Sequence, residues 1–244
     1  MRAIILAGGY AKRMWPLTAN QPKSLLSING KPVVEYIIDT IRDAGVNNIL
    51  ISTNLRFRDS FRAWLSQSRL SDVDILAEAS TAEANKLGAV RALARLRKRL
   101  PQDDYLIMAG DNIITTSLSP MIDFYKRNGK PIVAVFRPRD SAQLQSGSSV
   151  FLDRNNRIKA FEEKPNRNSR GRLGALIYIL PYATFARIDE YLAEKQNDAD
   201  APGYFVAWLC MKEPVYGFTL PGRLLDIGNM VEFERASKEL NKNG

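Results

Sequence analysis

The chain has 244 residues, 45% hydrophobic and 25% charged, which suits one globular domain that buries its core without staples. Its one cysteine, Cys210, excludes an intrachain disulfide or a cysteine metal cluster. The absence of histidine excludes imidazole bases and the usual zinc sites. With 35 Lys and Arg against 26 Asp and Glu, the net charge of +9 favours anionic partners: nucleic acid, acidic membrane or small phosphorylated ligands.

Residues 2–7 (RAIILA) read as a buried strand ended by glycines. A long cationic loop follows, then an amphipathic helix over 32–44. Its Val34, Ile37, Ile38 and Ile41 share a face, with Pro32 near the start and Gly45 past the end. The pattern then predicts a strand at 48–53, a helix at 56–66, a strand at 73–77, a helix at 86–100, a strand at 104–109, a helix at 119–128 and a strand at 131–136. Such alternation predicts an α/β fold with a Rossmann-like, mostly parallel sheet flanked by helices. Ligands bind such sheets at the carboxyl ends of the strands. After about residue 140 the pattern changes. Strands at 149–153, 157–162 and 173–180 follow without intervening helices and predict a small antiparallel addition. Helices at 183–195 and 203–212, a strand at 215–219 and a terminal helix at 230–241 complete the chain. No run approaches the roughly 20 apolar residues of a membrane span. The N-terminus is no signal peptide, so a cytoplasmic location is expected. The basic run at 95–100 reads as the solvated face of a helix rather than a nucleic-acid contact, and Trp15 and Trp64 read as packing residues.

The loop after the first strand, LAGGYAKRMWPLTANQPK, stands where a phosphate-binding turn belongs. Gly8 and Gly9 let backbone approach a ligand, free amides in a turn make an anion nest, and Arg13 and Lys23 add full charges. It lacks the ending of a P-loop and the third glycine of a dinucleotide fingerprint. On these residues alone, a triphosphate cradle and a plain strand-to-helix connection read equally well.

The stretch LAGGYAKRMWPLTANQPKSLLSINGKPVVEYII, residues 6–38, resembles the signature LAGGxGTRLxPLTxxxPKxLLPVxGKPxIxYxI of the sugar-1-phosphate nucleotidylyltransferase family. MAGDNI at 108–113, FEEKP at 161–165 and LLDIGNMVEFERA at 224–236 are similar to its later motifs, in order. The segment from Asp200 to Leu209 resembles the short, single-domain, archaeal-type members. The resemblance implies the nucleotide-diphospho-sugar transferase fold. It also implies a single domain over 1–244, with a nucleotide-binding part to about 140, a sugar-phosphate part over about 141–228 and a terminal helix over 229–244.

The reaction implied is transfer of a nucleotidyl group from a nucleoside triphosphate to a sugar 1-phosphate, with release of pyrophosphate. The attacking phosphate oxygen is already ionised near neutral pH, so catalysis rests on positioning and charge neutralisation, which suits a chain without histidine. The resemblance gives Arg13, Lys23 and Asp111 the catalytic roles. It gives nucleotide contacts to Leu6, Ala7, Gly8, Gly9, Glu78 and Gly88, and sugar-phosphate contacts to Gly147, Glu163 and Lys164. Asp111 and Asp226 would hold Mg2+, whose hard charge suits carboxylate and phosphate oxygens. The expected partners are the two substrates, with no nucleic acid and a possible homo-oligomer.

Departures from the pattern fall near the chemistry. Ala11-Lys12 stand for Gly-Thr, Ala175-Leu176 for Thr-Gly, Ser146-Gly147-Ser148-Ser149 for YGVV, and Leu225 for a tryptophan. Glucose 1-phosphate with dTTP or UTP is the first substrate pair expected. A mannose-1-phosphate guanylyltransferase is the alternative, and a non-catalytic binding homologue that regulates a partner is another.

Overall fold

The computed structural model describes residues 1–166 and 170–241. Residues 242–244 of the expected terminal segment lie outside the described residues. The chain forms two compact units built from interleaved segments. One contains Arg2–Lys86, Met108–Ser117 and the chain from Leu224; the other contains Met1, Leu87–Ile107 and Leu118–Arg223. This division by contacts runs differently from the division near 140 read from the sequence pattern.

In the first unit, strands Arg2–Leu6, Ile49–Asn54 and Val73–Glu78 lie parallel in that order, with Ile4 opposite Leu50 and Ile51 opposite Ile75. Helices Val33–Asp43 and Leu55–Gln67 make the crossovers. Val33, Val34, Ile37, Ile38 and Ile41 are buried, the stripe that the 3.6-residue period predicts. Asn54 caps the second helix by accepting the Phe57 amide at 3.0 Å. A hairpin of Ser27–Ile28 and Lys31–Pro32 turns on Asn29 and Gly30, both at positive φ, as a two-residue turn requires. Strand Asn112–Ile114 pairs antiparallel with Leu224–Asp226, and helix Met230–Leu240 follows, capped by Asn229.

The second unit has strands in the order Ile158–Glu163, Ser148–Leu152, Arg172–Leu180, Ile132–Phe136 and Tyr216–Thr219. All pairs are antiparallel except the last. The expected antiparallel addition is therefore present. Strand Arg172–Leu180 shifts register between Gly174 and Tyr178. Helix Pro202–Lys212 packs Phe205 and Trp208 against Tyr191, with ring centroids 5.4 and 5.6 Å apart.

Three expectations change. The helix expected at 86–100 covers Ala89–Arg97, because Gly88 at φ +82° ends the preceding turn. The helix expected at 183–195 is two pieces, Tyr182–Ala186 and Ile188–Ala193, meeting at Arg187. Strands 112–114 and 224–226 and helix Ser141–Ser146 are additions too short for a periodic signal. In the basic run, Arg97 pairs with Asp189, and Arg95, Lys98 and Arg99 are exposed, as expected.

Candidate active site

The glycine loop is tied down at several points. The Ala7 amide donates to the Ser52 carbonyl at 2.7 Å, and Asn54 Nδ2 donates to the Gly8 carbonyl at 2.9 Å. Farther on, Thr18 Oγ1 and the Met14 amide both donate to the Ala11 carbonyl, at 2.8 and 2.9 Å. Met14 is fully buried and anchors the loop, while Arg56 donates to the Ala19 carbonyl at 2.6 Å. A Cβ added to Gly9 would meet nothing within 4 Å, and one on Gly8 would make only ordinary contacts. The fold itself does not demand glycine at either position. Bare backbone there leaves open space above the loop, which is what a close-fitting anion needs.

Ala11 adopts φ 46° and ψ 43°, the left-handed region. The backbone has thus kept the conformation that explains the glycine of the related pattern, while the side chain has changed. The next residue, Lys12, pairs with Glu83 at 2.6 Å. Trp15, read as a packing residue, is instead 53% exposed. Trp64 does pack, edge-on to Phe61, with its indole donating to Glu35 at 2.8 Å.

Beneath the loop lies a cluster of charges. Lys23, on a short 3-10 turn, forms an ion pair with Asp111. Asp226 stands opposite Asn112 in the two-stranded ladder, and the Ile227 amide donates to the Asp111 carbonyl at 3.0 Å. Two aspartates 115 positions apart are brought together by three-residue strands. Burial, followed by the neighbouring Asp111 charge, holds the Asp226 carboxyl well above the usual carboxylate range, while Lys23 pulls the other way. Arg13 is exposed on the same loop and has no hydrogen bond or ion pair among the described residues.

Two contributors were not legible in the sequence. The Gly110 amide donates to the Leu6 carbonyl at 2.8 Å, and a Cβ on Gly110 would lie 2.7 Å from Ser24 Oγ and 3.0 Å from Ala7 Cβ. Gly110 is what lets Asp111 turn in beside Lys23. Ser24, fixed in place as a buried hydroxyl, is the other contributor. Glu78 ends its strand beside Gly8, with Oε1 3.8 Å from where a Gly8 Cβ would be. Ser80 donates to that oxygen at 2.8 Å, and Tyr10 reaches Ser80 at 3.2 Å.

The metal expectation can be tested against these donors. Among the described residues, no group of three or more His, Cys, Asp or Glu side chains is placed to hold a metal. Two hard carboxylates fit an ion that takes its remaining oxygens from phosphate and water. The charge-suppressed Asp226 is the carboxyl that such an ion would ionise.

The second unit gathers Gly147, Glu163 and Lys164. Glu163 faces Ser148 across the strand pair, and Ser148 Oγ donates to its Oε2 at 2.5 Å. The Lys164 amide donates to the Gly147 carbonyl at 2.9 Å, with Lys164 itself at φ 50°. Lys164 Nζ lies 6.0 Å from the Tyr204 ring centroid. Burial raises the Glu163 carboxyl, and the Ser148 hydrogen bond and Lys164 charge oppose that shift. A Cβ on Gly203 would lie 1.9 Å from Glu163 Oε2, so glycine there makes room for the carboxylate at the start of helix Pro202–Lys212. Gly88 has a packing duty: a Cβ on it would lie 2.4 Å from the Ala199 carbonyl.

Comparison with known proteins now decides the family. The family model described as "Nucleotidyl transferase" matches residues 2–243. The chain belongs to the nucleotidyl transferase family. Among curated members, a mannose-1-phosphate guanyltransferase of Yarrowia lipolytica is 26% identical over 235 residues, 96% of this chain and 62% of that protein. The mannose-1-phosphate guanylyltransferase catalytic subunit beta of Drosophila melanogaster is 23% identical over 95% of this chain and 60% of its own length. The chain thus spans about 60–62% of the length of these relatives. A UDP-glucose pyrophosphorylase complexed with UDP-glucose superposes with a TM-score of 0.83 at 18% identity, covering 100% of this chain and 99% of that one. The UTP-bound enzyme of Acinetobacter baumannii gives 0.79 at 16% identity over 100% and 94%. These likenesses establish that this nucleotidyl transferase family member has their fold, the nucleotide-diphospho-sugar transferase fold expected from the sequence. Among the described residues, no helix is long and apolar enough to cross a membrane.

Proposed function

We propose that the protein transfers a nucleotidyl group from a nucleoside triphosphate to a sugar 1-phosphate. The observation that carries the reading is the Lys23–Asp111 pair, joined to Asp226 by strand pairing under an open glycine loop. A sugar-phosphate oxygen attacks the α-phosphorus, the bond to the β-phosphate oxygen breaks, and pyrophosphate leaves with its electron pair. No proton needs abstracting. The loop amides and Arg13 bind the triphosphate and take up charge as pyrophosphate departs, and Lys23 serves the α-phosphate. Asp111 and Asp226 would hold Mg2+, which when bound neutralises phosphate charge. Glu163 would accept a sugar hydroxyl and Lys164 would pair with the sugar phosphate.

The choice of donor base rests on Glu78, which the resemblance places among the nucleotide contacts and which ends its strand beside Gly8. A carboxylate accepts hydrogen bonds only. Guanine offers it adjacent N1–H and N2–H groups. Thymine and uracil offer one N–H flanked by two carbonyls, which a carboxylate repels. GTP is therefore preferred, reversing the order expected from the sequence. Mannose 1-phosphate is the matching sugar substrate, supported by the printed names of the curated relatives.

The test is pyrophosphate release from four nucleoside triphosphates against mannose, glucose and other sugar 1-phosphates. The expected result is turnover with GTP and mannose 1-phosphate that falls at least about 100-fold in Asp111→Ala and Lys23→Ala. Turnover with no pair, or undiminished turnover in both variants, would overturn the reading.

A further inference from the structure

The second unit contains a cavity of about 430 Å³ that none of the residues above lines. It opens where strands Ile132–Phe136, Ser148–Leu152 and Arg172–Leu180 come together. Phe136 stands opposite Leu173 and Val150 opposite Arg172, so the ladder carries Arg137 and Arg172 to one wall. Neither guanidinium has a hydrogen bond or ion pair with any described residue. The acid in the lining, Asp153, pairs with neither arginine, and its Oδ1 accepts from the Asn155 and Arg157 amides, both at 2.9 Å. Residues 137–172 hold nine Lys and Arg against four Asp and Glu, a net +5 within a chain of net +9. The lining itself carries Arg137 and Arg172 against Asp153.

The cavity also has an aromatic wall. Phe151 is 43% exposed although it sits on a central strand. Its ring lies over Gly171, at φ +142°, where an added Cβ would come within 2.9 Å of the Val150 carbonyl and 3.4 Å of the Phe151 ring. Glycine at 171 is required by its positive φ and by the nearby Ser149 hydroxyl and Val150 carbonyl, and the ring rests beside it at ordinary contact distance. Asn156 adds a neutral polar group to the lining.

Two unpaired guanidinium groups suit phosphate oxygens, and an exposed ring suits a stacked base. The volume lies within the range of about 300–1,000 Å³ that small-ligand sites occupy. We propose that this cavity is a second ligand site, for a phosphorylated, base-bearing anion of nucleotide size. Its phosphates would sit on Arg137 and Arg172 and its base on Phe151. A single exposed ring beside two arginines suits one base with its phosphates better than an extended nucleic-acid strand, which needs a row of such rings. Stacking is tolerant of base identity, so this site should accept adenine and guanine nucleotides alike.

Equilibrium dialysis of the intact chain with radiolabelled GDP and, separately, ADP tests the proposal. GDP should bind at two sites per chain. Arg137→Gln with Arg172→Gln should weaken one of them at least about tenfold, while Arg13→Ala should leave that one intact. ADP binding should weaken in the same arginine variant. Phe151→Leu, a mild change at an exposed position, should weaken the site for both nucleotides but not for inorganic pyrophosphate. Binding of both nucleotides unchanged in the arginine variant and in Phe151→Leu would overturn the proposal. So would pyrophosphate binding at the arginine-sensitive site as tightly as either nucleotide, or an oligonucleotide alone responding to the arginine changes. The Arg13→Ala arm keeps failure of this site distinct from failure of the transfer reading.

Discussion

Gly203→Ala separates folding from function at one atom. The new Cβ would lie 1.9 Å from Glu163 Oε2 and 2.5 Å from its Cδ. The obstructing group is the tip of a flexible side chain, so the carboxylate swings away and the backbone stays. Position 203 lies in the first turn of helix Pro202–Lys212, where alanine in place of glycine favours the helix by up to about 1 kcal/mol. That gain offsets the loss of the 2.5 Å Ser148–Glu163 hydrogen bond, about 1 kcal/mol. Global stability should therefore change by less than about 1 kcal/mol. Activity should not be spared. A hydrogen bond from a sugar hydroxyl to a charged acceptor contributes about 1.5–3 kcal/mol, or about 10- to 150-fold in kcat/KM. Steady-state pyrophosphate release with varied sugar 1-phosphate, beside a urea unfolding curve, gives both readouts. The combination with Glu163→Gln should lose little more than either change alone. A variant with native kcat/KM would refute the reasoning, as would one whose activity falls only in proportion to lost stability.

Ala11→Gly relieves a left-handed alanine, worth about 1–2 kcal/mol, against a glycine entropy cost of about 0.5–1 kcal/mol. The urea midpoint should rise by the equivalent of about 0.5–1 kcal/mol, and a fall would show that the loop holds Ala11 without strain. Gly88→Ala sets a Cβ 2.4 Å from the Ala199 carbonyl at φ +82°, where backbone must move, so stability should drop by about 2 kcal/mol or more, read as a lower thermal midpoint. Arg42 hydrogen-bonds Asp72 in two places and holds its carboxyl below the ordinary range. A depressed carboxylate contributes stability above its unfolded pKa, about 3.9, and loses it as pH falls through the folded value. Asp72→Asn should thus cost about 1 kcal/mol near neutral pH, and its unfolding midpoint should converge with the native one in acid.

Most of the first unit was legible because its signals are local. The stripe of Val34, Ile37, Ile38 and Ile41 predicts its helix, and the apolar runs predict the parallel strands. The glycine loop was legible as a pattern, but its physics was not: only backbone angles reveal that Ala11 occupies a glycine's conformation. The Asp111–Asp226 juxtaposition could be expected only from the family's motif order, because the strands that make it have three residues each and no period. Gly203 escaped notice because its partner Glu163 is 40 positions away and the contact is steric, invisible to any pattern of residue types. Trp15 misled because a large aromatic is usually buried, whereas the tethered loop turns it outward.

The interleaving of segments also sets an order of events during synthesis. Lys23 and Asp111 emerge from the ribosome early, but the strand carrying Asp226 emerges only after residues 118–223, most of the other unit, have been made. A nascent chain halted before residue 224 contains Lys23 and Asp111 but no second carboxylate. Strand Leu224–Asp226 therefore works as a completion latch: the charge cluster is assembled only after that strand has been made, and a stop before residue 226 yields a chain without its acidic pair.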